Sequence, residues 1–510
     1  MTATLSTPPS RSTAAEHRSE RVSVVIVGTG FAGLGMAIRL KQSGVQDFVV
    51  LEKAGSVGGT WRDNTYPGCM CDVPSSLYSF SFAQKADWST TYPRQAEIWD
   101  YLRDCAQRFG VLPHIRFHQE MRSASWDAAS ARWRVSAGAA AFETQYLVLG
   151  AGALSEPRVP DLPGLDGFGG PVFHSARWRH DLDLRGKRVA VVGTGASAVQ
   201  FVPEIQPQVA QLQLYQRTPA WILPHPNRRL SQLEQTAGGA LPALRDLRRA
   251  GVYAGRELLV LGLTVEPRMM ALGEAAARRH LRRQVADPEL RRALTPSYRL
   301  GCKRMLLSND FYPALTRDNV ELVPHAITAV SHDAVVAADG SQRRADVLIF
   351  GTGFQVTEFP VAQRIDNGAQ VLGEVWRGSP QAYMGTTVAD FPNLFVLTGP
   401  NTGLGHTSVV HVIESQVRHV LECLRAARRN GAEVIEVRPE AQDTYNERLQ
   451  QRMRRTVWTT GGCRSWYLDA RGRNSTLWPS FTFVLRHRLR RFDESAYALT
   501  SPARAAAPSG

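Results

Sequence analysis

No apolar run in this chain approaches the ~18 residues that a membrane-spanning helix needs. The longest candidate, Leu258 to Val265, is cut short by Glu266-Pro267 in an arginine-rich region. A dithiol motif is also missing. The six cysteines stand at 69, 71, 105, 302, 423 and 463, with neither the C-x-x-C spacing of a redox centre nor the spacing of metal ligands. No metal site is expected, and all six are expected to be reduced, non-ligating thiols. The segment before Arg21 lacks the apolar core of a secretory signal and reads as a disordered tail over residues 1–20, so a cytoplasmic protein is expected. Nucleic-acid motifs are absent as well. The net charge of +14 is mostly arginine scattered through helical stretches, which indicates a solvated surface with part of the charge serving an anionic cofactor. Nothing marks an obligate protein partner.

What is present is a stretch around which the rest is arranged. An apolar strand from Val22 passes through Gly28-Thr-Gly30-Phe31-Ala-Gly33 into a helix. The first glycine permits the tight turn, the second lets backbone approach a pyrophosphate, and the third lets helix pack on strand. Glu52 closes the next strand, Phe48-Val-Val-Leu-Glu52, where it can bond ribose hydroxyls. The plan then repeats. Lys187 to Val192 leads into Gly193-Thr194-Gly195-Ala196-Ser197-Ala198-Val199, and Arg217-Thr218 stands as far beyond Gly193 as Glu52 does beyond Gly28. An acid there suits bare ribose, whereas arginine with a neighbouring hydroxyl suits a 2′-phosphate. The first cradle is therefore expected to take FAD and the second NADPH.

A chain of 510 residues, 43% of them hydrophobic, can bury roughly two or three cores. Between the cradles lies a loop from Val57 to Pro74 that is too long for a mere connector, then a helix over Gln95–Phe109 and strands near 115–121, 133–135 and 146–150. Residues 231–294 turn helical, and strand character returns at Ala345–Phe354 and Asn393–Leu397. A glycine-rich loop through His406 follows; that histidine is read as a packing residue. The fold class is α/β: two doubly wound Rossmann-like dinucleotide-binding domains, for FAD and NADP, with a helical insertion. The expected layout is an FAD domain at 21–156 and 346–492, a linker at 157–184, an NADP domain at 185–345 with its insert at 231–294, and a flexible tail at 493–510.

The segment Phe168-Gly-Gly170-Pro-Val-Phe-His174-Ser-Ala-Arg-Trp178 resembles the fingerprint of Baeyer-Villiger monooxygenases, a branch of the class B flavoprotein monooxygenases. Arg179 stands where that fingerprint closes with Pro or Asp. The resemblance extends from about Ser23 to Phe492. It takes in both cradles, Gly59-Thr60-Trp61, Gly301-Cys-Lys303-Arg304, Gly351-Thr-Gly353 and the tail motifs Ser465-Trp466-Tyr467, Gly472-Arg-Asn474 and Trp478-Pro479, with Ser480 in place of an expected Gly. It implies that Phe31, Glu52, Gly59, Thr60, Trp61, Asp72, Tyr78 and Met121 line FAD. The loop Met70-Cys71-Asp72 would lie between flavin and nicotinamide. The NADP contacts would be Gly193 to Val199, Arg217, Thr218, Lys303 and Arg304. Asp72 would orient the active-site Arg304, while the fingerprint residues Phe168, Gly170, His174 and Trp178 would couple domain motion to turnover.

The implied reaction uses NADPH and O2 to form a C4a-peroxyflavin that attacks a ketone carbonyl, giving an ester or lactone. Arginine fits such chemistry because its guanidinium cannot hand a proton to the anionic oxygen. A buried arginine needs a counter-ion, and Asp72 is the candidate, although it could also be a turn residue before Val73-Pro74. Trp61, Trp466 and Trp478 could line a substrate cavity or be core. Two rivals remain open: a flavin-containing monooxygenase acting on N or S centres, and a non-oxygenating NADPH flavoprotein reductase. Cyclic, linear, aryl and steroid ketones all stay possible substrates.

Overall fold

The computed structural model describes residues 19–501; the tail expected at 1–20 lies almost wholly outside them. Strand β1 (Glu20–Val27) runs into helix α1 (Phe31–Gln42), and β2 (Phe48–Leu51) follows. The long loop carries a short helix, α2 (Thr60–Asp63), and ends at α3 (Gln95–Arg108). β3 (Ile115–Arg116), β4 (Met121–Asp127), β5 (Arg132–Ala137) and β6 (Ala140–Leu149) complete the first pass. β7 (Val172–His174) precedes the second cradle of β8 (Arg188–Val192), α4 (Ala196–Ile205) and β9 (Gln211–Tyr215). β10 (Ile222–Leu223) opens the insert of α5 (Gln232–Ala240), α6 (Pro242–Glu257), α7 (Met270–Gln284) and α8 (Pro288–Ala293), and β11 (Leu306–Leu307) closes it by pairing with β10. After α9 (Phe311–Leu315) come β12 (Val320–Val323), β13 (Ile327–Val330), β14 (Ala334–Ala337), β15 (Gln342–Arg344) and β16 (Val347–Phe350). β17 (Ile365–Asp366), α10 (Leu372–Trp376), β18 (Leu394–Val396) and the long α11 (Val409–Arg429) return to the first unit.

Two sheets organise these elements. The first runs β17-β4-β5-β6-β1-β2-β3, with β18 also paired to β6. Its β1, β2, β3, β6 and β18 are parallel, while β4, β5 and the first half of β6 form an antiparallel meander. The second runs β12-β9-β8-β16-β7, all parallel. The parallel strands read as near-continuous apolar runs because helices or a second layer cover both faces; β2 and β16 are buried at every residue. Both cradles sit at the carboxyl end of a central strand, β1 or β8, where the strand order reverses and an open α/β sheet leaves its crevice.

The two crevices are built alike. Gly28 has φ +96°, and a Cβ there would lie 2.7 Å from the Gly150 carbonyl oxygen; Gly193 has φ +103° and meets the Gly351 carbonyl oxygen at the same 2.7 Å. The third glycine of the first cradle is a matter of space, since a Cβ on Gly33 would come within 1.8 Å of the Gly28 carbonyl oxygen. A third core joins the units around the Gly301 turn. Leu263 and Met270 of the insert pack there with Leu300, Trp458, Tyr467 and Trp478 of the later chain.

Three expectations about layout give way. Residues 346–350 do not begin the second part of the FAD unit: β16 pairs with β8 and β7, so the crossover falls at Gly351–Phe354. The fingerprint is not all linker, because β7 is the edge strand of the second sheet, too short to show a period in sequence. The chain beyond 493 is not a free tail as far as 501, because β20 (Tyr497–Thr500) pairs antiparallel with β19 (Val434–Val437) and Tyr497 is buried in the first core. One aromatic anchor outweighs the polar residues around it.

The cradle geometry separates two glycines. Gly33→Ala is expected to destabilise the flavin-free protein by about 3 kcal/mol or more, because backbone must move. Gly30→Ala, whose Cβ meets only the Gly59 Cα at 3.8 Å, is expected to leave the urea midpoint of the flavin-free protein nearly unchanged. Equal midpoints for the two variants would contradict the close-packing role of Gly33.

Candidate active site

The first cradle ends at the amino terminus of α1, which has no side-chain cap and no acid in its first turn. Its free N–H groups and dipole thus face the crevice unopposed, as a pyrophosphate requires. Glu52 stands beside it, 3% exposed. Its carboxylate accepts from the Thr29 amide (3.0 Å) and hydroxyl (2.5 Å) and from the Ala54 amide (2.9 Å), and it pairs with Arg62 at 2.9 Å. Arg62, which the sequence reading missed, neutralises this otherwise buried acid. Phe31, Trp61 and Tyr78 come together as expected: the Trp61 indole N–H donates to the Tyr78 hydroxyl (3.1 Å), and Tyr78 meets Phe31 edge-on at 5.2 Å. Gly59 caps α2, which carries Thr60 and Trp61 into this wall. Met121 is apart from these aromatics. Its side chain packs with Leu51 under the other face of the sheet, and its strand reaches the cradle through the Gln119 amide, which donates to the Glu52 carbonyl at 2.8 Å.

The second cradle repeats the arrangement. Gly195 heads α4 without a side-chain cap, and no acid stands in the first turn of Ala196-Ser197-Ala198-Val199. The Thr194 hydroxyl donates to the Thr218 carbonyl (3.2 Å), fixing the turn after β9 against the turn after β8. Arg217 is exposed at that turn. Lys303 lies within its electrostatic reach: burial first, and then the Arg217 charge, hold the Lys303 ammonium below its usual range. Neither cation has an ion-pair partner among the described residues. Two cations within electrostatic reach of one another and without acidic partners are suited to a dianionic group, which would relieve their repulsion.

Between the cradles lies the pair that defines the site. Arg304 donates from Nε to Asp72 Oδ2 and from Nη2 to Asp72 Oδ1, both at 2.6 Å. Burial alone would raise the Asp72 carboxyl, but the Arg304 charge and hydrogen bonds, with Arg256 behind them, hold it below the usual carboxylate range. The Asp72 charge in turn raises Arg304 further above its ordinary value, against the cost of burial. The side-on pairing commits Nε and Nη2, and Nη1 makes no hydrogen bond to the described residues. With 36% of its side-chain surface still open, Arg304 has donors left for a bound group.

The pair is held from three sides. Gln200 of α4 clasps the Met70 peptide, donating to its carbonyl (3.0 Å) and accepting from its amide (3.2 Å), and takes the Tyr66 hydroxyl at 3.0 Å. The Met70-Cys71-Asp72 loop of the first cradle is thereby bound to the helix of the second. Arg256 of α6 donates to the Asp72 carbonyl (3.4 Å) and the Tyr92 hydroxyl (3.2 Å). Glu257 of α6 accepts from His406 (3.1 Å) and the Thr482 amide (2.9 Å), so His406, expected only to pack, instead meets a buried carboxylate. Below the guanidinium, burial pushes the Tyr467 phenol up to about 12.

The expectation of six free thiols is corrected here. Cys302 and Cys463 form a disulfide across a sequence separation of 161, with Cα atoms 6.2 Å apart, while Cys69, Cys71, Cys105 and Cys423 are free and buried. Spacing rules see short motifs, and this bond is made by the fold bringing the late chain over the Gly301 turn. It ties the Lys303-Arg304 segment to the one bearing Tyr467.

The fingerprint residues lie along the β7 edge of the second sheet, on both of its faces. Phe168 is in its core, and a Cβ on Gly170 would meet the Asp346 carbonyl oxygen at 2.1 Å. Trp178 packs on Phe173 and on Phe201 of α4. His174 ends β7, accepts from the Ala176 amide (3.1 Å) and faces Phe354 at 5.7 Å, and burial lowers its ring to about 4. Phe354 is where the two crossovers pair, through the Arg158 amide on the Gly353 carbonyl (2.9 Å) and the Gln355 amide on the Glu156 carbonyl (3.0 Å). Arg179 makes a surface pair with Asp181 at 2.6 Å and touches none of this. Trp478 is core, whereas Trp466 is 42% exposed.

A family model described as pyridine nucleotide-disulphide oxidoreductase matches residues 25–238. The cysteines inside that stretch are free, so what is shared is the nucleotide-binding build. The chain is 49% identical over 493 residues to a Baeyer-Villiger monooxygenase of Streptomyces coelicolor, covering 96% of this chain and 95% of that protein. It is 48% identical to a Baeyer-Villiger monooxygenase of Pseudomonas aeruginosa, covering 94% and 91%. Among solved structures, a cyclohexanone monooxygenase from Rhodococcus sp. Phi1 bound to NADP+ superposes with a TM-score of 0.84 at 29% identity, over 95% of this chain and all of that one. Two cradles, a guanidinium at their junction and identity approaching half along nearly the whole length lead to one assignment: the chain belongs to the Baeyer-Villiger monooxygenases.

Proposed function

We propose that this protein is an FAD- and NADPH-dependent monooxygenase that inserts one atom of O2 beside a ketone carbonyl, giving an ester or lactone. The observation that carries the reading is the side-on Arg304–Asp72 pair at the meeting of the two cradles. Bound flavin supplies hydride acceptance and the activation of O2, and the chain supplies position and charge. The α1 and α4 amino termini would hold the two pyrophosphates, while Arg217 and Lys303 would select a 2′-phosphate. The Met70-Cys71-Asp72 loop, clasped by Gln200, would form the wall between the two nucleotides.

Arg304 determines which oxygen chemistry follows. Its Nη1 donors present a permanent positive charge to anionic oxygen and to the oxyanion of a carbonyl adduct, and they release no proton at working pH. A lysine or histidine in that place could protonate the oxygen, which favours electrophilic attack on N or S centres. Asp72 keeps the guanidinium turned and balances its charge so that the resting site is not a bare buried cation. Met70, Cys71 and Tyr78 line the wall and take no part in proton transfer, since burial raises the Cys71 thiol and the Tyr78 phenol well above their usual ranges and both keep their protons. The His174 ring, neutral at working pH, reads out the crossover geometry at Phe354 rather than the substrate. The FAD unit in this reading joins residues 21–156 to the chain after the Gly351–Phe354 crossover.

Arg304→Ala is expected to cut ester formation by about a hundredfold or more, while anaerobic bleaching of FAD by NADPH persists. Ester formation at the parent rate with a raised NADPH KM would instead make Arg304 a nucleotide ligand only. Arg217→Ala is expected to raise the NADPH KM by about ten- to a hundredfold, the worth of a charge-assisted contact. NADH kinetics should be unchanged, and a fall in both cofactors alike would remove Arg217 from 2′-phosphate recognition.

A further inference from the structure

Helix α6 is turned inside out. At helical spacing Arg249, Tyr253, Arg256 and Glu257 share one face, and that face is inward. Arg249 donates to the Ser76 carbonyl at 2.8 Å and the Ser79 carbonyl at 3.1 Å, and the Tyr253 hydroxyl bonds Thr482 at 2.8 Å. Arg256 and Glu257 make the contacts to Asp72, Tyr92, His406 and Thr482 already described. The opposite face carries Leu244, Leu247, Gly251, Gly255 and Leu258, with Leu241 just before it. Leu244, Leu247 and Leu258 are 49%, 69% and 65% exposed, and nothing lies within 4 Å of a Cβ built on Gly251 or Gly255. The exposure continues through Val265, Met269 and Leu272. Eight of the fifteen exposed large hydrophobic side chains among the described residues fall between Leu233 and Leu272. Scattered exposed leucines need no explanation, but this concentration on one insert does.

Charge identifies the cover. From Leu241 to Arg283 six arginines are exposed, at 248, 268, 278, 279, 282 and 283, against two exposed acids. Both acids are engaged: Asp246 accepts from the Gln84 amide (2.6 Å) and Glu266 from the Arg268 amide (3.1 Å). Beside Val265 opens a cleft of about 450 Å³ lined by four arginines, Arg268, Arg299, Arg454 and Arg455, with Thr460 and a single carboxylate, Glu266. Of its arginines only Arg299 has an ion-pair partner, Glu274, among the described residues. A second copy laid on this face would bring arginine rows against one another. We propose that the outward face of the insert is a peripheral docking surface for an anionic lipid bilayer, with the α6 leucines entering the interface and the arginine cleft taking headgroup phosphates. No helix among the described residues is long and apolar enough to cross a membrane, so the contact is to one leaflet.

The test is cosedimentation of the FAD-loaded full chain with vesicles of phosphatidylcholine alone or with roughly one-third phosphatidylglycerol, at low and high salt. The double variant Leu244→Glu/Leu247→Glu changes exposed side chains only and should oxidise a small water-soluble ketone at the parent rate. The expected result is sedimentation with phosphatidylglycerol vesicles at least about tenfold above that with phosphatidylcholine, weakened by salt and lost in the double variant. Absence of anionic-vesicle binding, or equal binding by the double variant, would overturn the proposal. A dimer in light scattering that the double variant dissociates, without vesicle binding, would overturn it too and assign the face to a second copy.

Discussion

The Arg304–Asp72 pair is the contact on which the junction of the two cradles depends. A guanidinium walled by protein needs a counter-ion, and a carboxylate in the same wall needs more than one donor, so neither residue can stand there alone. Asp72 comes from the loop after the first cradle and Arg304 from the turn that closes the insert. Their union fixes the first unit to the second. Gln200, Arg256 and the Cys302–Cys463 bond then remove the remaining freedom: one holds the Asp72 loop from α4, one from α6, and the third holds the Arg304 turn from the late chain. The electrostatic consequence is a pair that stays ionised under all ordinary conditions. Its chemical value lies in the donors that the pairing leaves unspent.

The parts legible in the sequence were those whose physics is local. A tight turn that packs helix on strand needs glycine at set intervals, and the second cradle reproduces the first down to the 2.7 Å approach to the neighbouring strand's carbonyl. The acid at Glu52 and the base at Arg217 could be read because both occupy the same place after the second strand of their units. The approach of Arg304 to Asp72, 232 positions apart, was reached through resemblance and a general argument about buried charge. Spacing alone would not have found it.

What was not legible depended on distant partners. Gln200 looks like any helical glutamine, yet its side chain matches a peptide's donor and acceptor, and only the fold puts the Met70 peptide opposite. Arg62 neutralises Glu52 across a turn. The apolar residues of β7 and β16 fit either sheet in sequence, and only register with β8 decides where they belong. The disulfide has no local signature at all. β20 reads as tail because the chain around it is polar, whereas burial of Tyr497 against His419 and Thr387 holds it.

The insert shows why composition misleads when it is read one residue at a time. Arginines and leucines at helical spacing are what an ordinary amphipathic surface helix shows, and there the leucines face inward. Around the active site the requirement is reversed. The loop bearing Asp72 and the loop bearing His406 present carbonyls and polar side chains, so the helix laid over them must offer hydrogen-bonding groups, and α6 offers Arg249, Tyr253, Arg256 and Glu257. Its leucines are then left on the outside, for want of any apolar wall to receive them. The same helix that completes the polar site therefore also carries exposed leucines outward, and the two properties are opposite sides of one geometric necessity.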